Sequence, residues 1–468
     1  MGLFSMIAGS IRGMFADENT SNDIERAFGV KLIRSDKMSV AINRWRRISE
    51  GKPYWLDPDD DIETVNMAKH ISDWRAKLTT LDLGIALSGS SRADFMQPIA
   101  NKLIERLAVK LPKADRVGGM LFRWNGKTWD FAMQGNFGIT EVDGDGDIRG
   151  AIIPSYKTQG GESYTRLEYH HFDGDIYVIE TKAFRNTQTL AGKSALGKEV
   201  PLSTVKSWAN LQPEVRISGL TDPLFTYFRV PGDNNIDDSS PLGVSIFANA
   251  LHELKAVDVS ISRKDLEIDD SKHLTFVGQA AIQTLQNRGI KIPRFIMGMG
   301  VGVNDGSNNA VHEHNATIQT ESRIKDINFN LSMAGVKCGF SEGCFVLDGR
   351  TGMITATQVE ADDRDTIQTI KDDRDALKTA VERALYGVDV TATLMNLAPV
   401  GVYEANYNFG DITYNYEEDK ANWLRYTMQG WTPEWLYFTK FEGYSEEEAK
   451  ALIAEAKAAR AEQGLFEQ

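Results

Sequence analysis

The chain has 468 residues, with 66 acidic against 52 basic side chains, a formal charge of −14, and 42% hydrophobic and 9% aromatic residues. The acidic balance excludes a basic nucleic-acid grip spread over the whole surface, and the apolar content excludes global disorder. The length sets an expectation of roughly two to four domains. Two cysteines, Cys338 and Cys344, are too few for a disulfide framework and lack C-x-x-C spacing, so they read as idle thiols of a reducing compartment.

No uninterrupted apolar run of about 18 residues occurs, so no membrane-spanning helix and no membrane partner are expected. The start, MGLFSMIAGSIRGMF, lacks the basic region and A-x-A site of a secretory signal, and Met6 stands where myristoylation wants Ser or Thr. Leu3, Phe4, Ile7, Ile11, Met14 and Phe15 predict a short amphipathic helix, and cytoplasmic synthesis is the expectation.

From Met1 to about Leu111 the apolar spacing is helical, broken by a loop from Gly51 to Asp61. From Gly118 to about Phe228, alternating runs such as GMLFRW, WDFAM, AIIPSY, TRLEYHHF and DIYVIETKAF are separated by Gly- and Asp-rich turns. That texture predicts a meandering antiparallel sheet. Ser239-Ser240-Pro241 has the cap chemistry of a helix start, and Val244, Phe247, Leu251, Leu254, Val257 and Ile261 keep the helical period beyond it. A small mixed subdomain follows, from about His273 to Ile327, and then a short helix over Asn328–Cys338.

Ala356 to Tyr386 is a stretch of 31 residues without Gly or Pro, about 46 Å long if wholly helical. Val359, Ile367, Ile370, Leu377, Val381 and Leu385 form its apolar stripe, while Asp363 and Arg374 interrupt it. Charges in such a seam are costly unless paired, which leaves open a partner from another subunit or a partly solvated seam. Three helices near Tyr416–Gln429, Pro433–Phe441 and Glu446–Gln463 end the chain, the last opened by a Ser445/Glu448 capping box. The fold class is therefore α+β.

Catalytic signatures are sparse. The Asp143–Asp147 run begins like a calcium loop, but Ile148 and Pro154 occupy the places where that loop needs Gly and Glu, and a hairpin turn accounts for it. Gly298, Gly300 and Gly302 do not have dinucleotide spacing, and no Walker or G-x-S-x-G motif is present. His170 and His171 point to opposite faces of a strand, and His312 with His314 lacks a third ligand. No enzyme activity, metal or cofactor is expected.

The stretch LFTYFRVPGDNNIDDSSPLGVSIFANALHELKAVDVSISRKDLEID resembles the segment of tailed-bacteriophage portal proteins that leads from the wing into the first stem helix. The Ile42, Trp45, Ile48, Gly51, Trp55 spacing and ITATQVEADDRDTIQTIKDDRDAL are similar to two further segments of that family, in the order of its siphophage branch. The resemblance implies an α+β portal fold divided into wing (1–240), first stem helix (241–269), clip (270–327), second stem helix (328–343), tunnel loop (344–355), wing with its long helix (356–416) and helical crown (417–468). It also implies a ring, usually of 12 copies, at one capsid vertex of the virion, assembled in the host cytoplasm. Double-stranded DNA would pass through its channel, and its partners would be the terminase large subunit, the head-to-tail adaptor, and the major capsid and scaffold proteins.

On that reading Asp348 and Arg350 are candidates for facing DNA, Ile367, Ile370, Arg374 and Leu377 for packing between subunits, and Asp305, Asn308 and Asn309 for docking partners at the clip. Competing readings are a metal-dependent DNA-processing enzyme built on Asp143–Asp147, or another oligomeric tail or baseplate component.

Overall fold

Ser35 opens the first helix of the main core: its hydroxyl accepts the Met38 amide at 3.1 Å and donates to Asp237 at 2.5 Å. The helix it caps, α2 (Asp36–Ser49), buries Met38, Ile42, Trp45 and Ile48. The computed structural model describes residues 15, 18–56, 61–188, 194–270, 274–278, 287, 296–299, 311–314, 320–346, 364–410, 416–442 and 444–466. The chain divides into two compact units, Met1–Phe409 and Gly410–Gln468.

In the first unit, α1 (Glu18–Phe28) and α2 are followed by α3 (Met67–Thr79) and the 27-residue α4 (Ser91–Val117). Helix α4 runs through Pro98 and Pro112, because Leu103, Leu107, Leu111 and Ala114 are buried along one side and the packing outweighs the lost backbone bonds. A short strand missed in the sequence, β1 (Gly84–Ser88), pairs antiparallel with β16 (Glu404–Asn408).

The β-rich middle forms where its turns place it, but as two main sheets and not one. Strands β2 (Gly119–Trp124), β3 (Trp129–Met133) and β12 (Thr226–Arg229) make a three-stranded sheet in the order β12-β2-β3. Strands β4 (Gly138–Val142), β5 (Ile148–Gln159), β6 (Glu162–Asp173) and β7 (Ile176–Arg185) are joined by β10 (Glu199–Val200) and β11 (Glu214–Ser218) in a six-stranded sheet. A small ribbon pairs β8 (Thr187–Gln188) with β9 (Ser194–Ala195).

A buried polar chain ties the two main sheets together. Arg123 on β2 reaches Glu168 on β6 and donates to His170 Nε2 at 2.8 Å, while His170 Nδ1 lies 2.9 Å from the Tyr177 hydroxyl. A guanidinium can only donate, so Nε2 accepts and Nδ1 carries the proton. Burial, and then the charge of Arg123, hold His170 well below its ordinary pKa of 6.5. Folded chains refuse a proton that unfolded chains accept below about pH 6.5, so this stability is present above that pH and lost as pH falls through it. Urea titrations should show a loss of up to about 1.4 kcal/mol per pH unit in acid, reduced in His170→Gln. An unchanged slope in that variant would contradict the assignment.

The helix expected from Pro241 begins instead at Leu251, as α5 (Leu251–Asp270). Gly243 explains the delay. Its amide donates to Gln134 Oε1 and the Tyr227 hydroxyl, and its carbonyl accepts from Gln134 Nε2 at 2.8 Å, leaving neither group for a helix. Gly118, at φ +97, lies so close that a Cβ on it would sit 2.2 Å from the Gly243 carbonyl oxygen, so two glycines are needed at this crossing.

The chain then forms β13 (Leu274–Gly278), β14 (Ile296–Met299) and β15 (Val311–His314), a mixed sheet in the order β14-β13-β15. The returning helix, α6 (Thr320–Lys337), starts eight residues before the expected Asn328, so the end of the expected 270–327 subdomain is helical. The long helix is α7 (Arg364–Leu394), 31 residues but displaced from the expected Ala356–Tyr386. It continues through the buried Gly387 because Leu385, Val388 and Ala392 extend its buried stripe.

The second unit holds α8 (Tyr416–Met428), α9 (Glu434–Phe441) and α10 (Glu446–Phe466). The predicted capping box is present: the Ser445 amide donates to Glu448 at 2.9 Å and the Glu448 amide to Ser445 Oγ at 3.3 Å.

Candidate functional site

Residues from all three segments that carry the portal resemblance lie in one buried core. Ile42, Trp45, Ile48 and Trp55 share one buried core with Phe247 and Leu254 from the α5 region and with Leu377, Val381 and Leu385 of α7. The Trp55 indole donates to Asp258 Oδ2 at 2.9 Å, and the Val65 amide to Asp258 Oδ1 at 3.0 Å. One turn further along α5, Ser262 Oγ accepts the Glu63 amide at 3.0 Å. The loop after α2 is thereby pinned along α5. Burial pushes the Asp258 carboxyl above its usual range, against the hydrogen bonds that favour its charged form.

Helices α5 and α6 form an antiparallel pair with polar rungs. Glu253 meets Lys337 at 2.6 Å, Ser260 meets Asp326 at 2.5 Å, and Glu267 meets Arg323 at 3.1 Å. The α5 members are seven residues apart, which sets them on one face. Between the rungs, Val257, Ile327 and Leu331 form a small apolar cluster. Phe329 and Val336, on another side of α6, are 65% and 47% exposed.

Arg75 of α3 and Asp373 of α7 form a buried two-pronged ion pair, Nε–Oδ2 at 2.6 Å and Nη2–Oδ1 at 2.7 Å. Asp115 of α4 lies nearby, and burial first, then the charge of Asp373, raises its carboxyl well above the usual range. Arg374 donates to the carbonyls of Thr79 at 3.3 Å and Leu78 at 2.9 Å, with its guanidinium over the Phe409 ring.

Of the stripe, Ile370 and Leu377 are 0% exposed and Arg374 only 9% in the single chain; Leu377 lies in the main core and Arg374 reaches carbonyls of α3. Ile367 is half-buried. Asp348, Arg350, Asp305, Asn308, Asn309, Val359 and Asp363 lie outside the described residues, as does most of the N-terminal amphipathic segment; its Phe15 is buried.

The acidic loop is tied up in its own hairpin. Asp143 Oδ1 accepts the amides of Asp145 and Asp147, and Asp147 pairs with Arg383 of α7 at 2.5 Å. Among the described residues, no group of three or more His, Cys, Asp or Glu is placed to hold a metal ion. His312 and His314 lie on β15, opposite Phe276 and Leu274 of β13. Cys338 is buried, which pushes its thiol up to about 12, and Cys344 is exposed.

Arg75 is the site residue that the sequence reading missed. It occupies the same buried side of α3 as Ile71, Ser72 and Thr79, and a guanidinium there requires a buried anion. No helix of the described residues is long and apolar enough to cross a membrane. No protein-family model matches the chain, and no curated protein matches it.

Proposed function

We propose that this chain is the subunit of a portal ring, a closed oligomer around a channel for double-stranded DNA at one vertex of a phage capsid. The observation that carries the reading is the antiparallel α5/α6 pair, joined through a small mixed sheet and followed by the 31-residue α7. Residues of the three resembling segments share one buried core. In this reading α5 and α6 are the stem, the sheet between them is the clip that meets the terminase large subunit and later the head-to-tail adaptor, and α8 to α10 are the crown. Capsid and scaffold proteins surround the ring, and ATP hydrolysis belongs to the terminase.

The charge fits the same reading. Each strong Lys or Arg contact to phosphate adds affinity by counterion release, so a chain of net charge −14 suits a wall past which DNA slides. The test is the mass in solution, measured by light scattering with and without scaffold protein. A closed ring of 12 copies of the 52.1 kDa chain weighs about 625 kDa. A species that stays near 52.1 kDa under both conditions overturns the proposal.

A further inference from the structure

Two helices of the first unit turn charged rows of opposite sign toward solvent. On α2, Lys37, Val40, Arg44 and Arg47 are exposed at spacings of three, four and three residues, so they share one face, while Met38, Ile42, Trp45 and Ile48 are buried. On α7, Asp365, Gln368, Asp372 and Asp375 are exposed at the same spacings, and Thr379 and Glu382 continue the row. Lys37, Arg44, Arg47, Asp365, Asp372, Asp375 and Glu382 have no ion-pair partner among the described residues.

Each row has a neighbour of the other sign. Beside the basic row of α2 stand the exposed Asp36 and Glu50, and beside the acidic row of α7 stand the exposed Arg364, Lys371 and Lys378. The flanking row lies on the same side of the main row in both helices. When two such faces meet antiparallel, basic row opposes acidic row and the two flanking rows also oppose each other. A parallel approach would not match the flanks. The α2 face also has something to receive a helix: Val40, Asn43, Arg44, Arg47 and Tyr54 line a shallow hollow, and Val40 and Tyr54 are 60% and 55% exposed.

We propose that the occupant of the α2 face is the α7 face of a second copy of this chain, docked antiparallel. The contact joins two different patches, so it is head-to-tail and repeats from copy to copy until a ring closes. The proposal rests on the ring reading and names the contact that would build the ring. Charge complementarity of this kind fixes partner and register, and like charges facing each other cost several kcal/mol.

The test uses the full chain in two variants, Arg44→Glu/Arg47→Glu and Asp372→Arg/Asp375→Arg, with circular dichroism confirming the fold. Each variant alone should need at least about 100-fold higher concentration to assemble, because like charges then face each other. Combining all four substitutions in one chain restores opposite signs and should restore assembly. Assembly of either variant at the wild-type concentration overturns the pairing and leaves the ring reading standing, and so does failure of the four-substitution chain to recover while it remains folded. A wild-type chain that never assembles, with or without scaffold protein, overturns the ring reading and this contact with it.

Discussion

Asp373→Ala should lower the unfolding free energy of the first unit by about 3–5 kcal/mol, the usual cost of stranding one partner of a buried ion pair. Arg75 is only 6% exposed, and its strongest contacts are the two to Asp373. Its remaining acceptor, the Cys338 carbonyl at 3.4 Å, is too distant to replace a carboxylate. The double variant Arg75→Met/Asp373→Leu should recover most of the loss, because apolar side chains of similar size need no hydration. Urea titration of the three proteins measures both effects. A single variant as stable as wild type would mean that the pair contributes nothing.

Leu377→Asp should have a still larger effect and prevent folding of the first unit. Leu377 is fully buried in the core that joins α2, α3, α4 and α7. Truncation to Ala alone should cost about 2–5 kcal/mol, and the aspartate adds the cost of a buried carboxyl without a partner. Leu377→Met, which conserves volume, should cost less than about 1.5 kcal/mol. Soluble yield and urea titration give the order Met, Ala, Asp. Equal stability of all three would place Leu377 outside the core.

The features legible in the sequence are those fixed by neighbours in the chain. The hairpins β4–β5, β5–β6 and β6–β7 follow from alternation and from turns such as Asp143–Asp147, where Asp143 accepts the amides of Asp145 and Asp147. The α10 cap follows from Ser445 and Glu448, three residues apart. Helix boundaries were less legible, because distant groups set them: Gln134 and Tyr227 take the backbone of Gly243 and delay α5.

The pairing of β1 with β16 joins Gly84 to Asn408, and neither strand has a strong pattern of its own. The partner of Arg75 lies 298 residues away. Arg374 was visible as an ionisable group in an apolar stripe, but its acceptors are backbone carbonyls of α3, which no side-chain pattern announces.

The most direct test of the portal account is imaging of the purified particle in end-on views. The account predicts cyclic symmetry, about 12 copies around a central hole wide enough for a DNA duplex. A compact monomer, or an assembly without a central hole even with scaffold protein present, would contradict it.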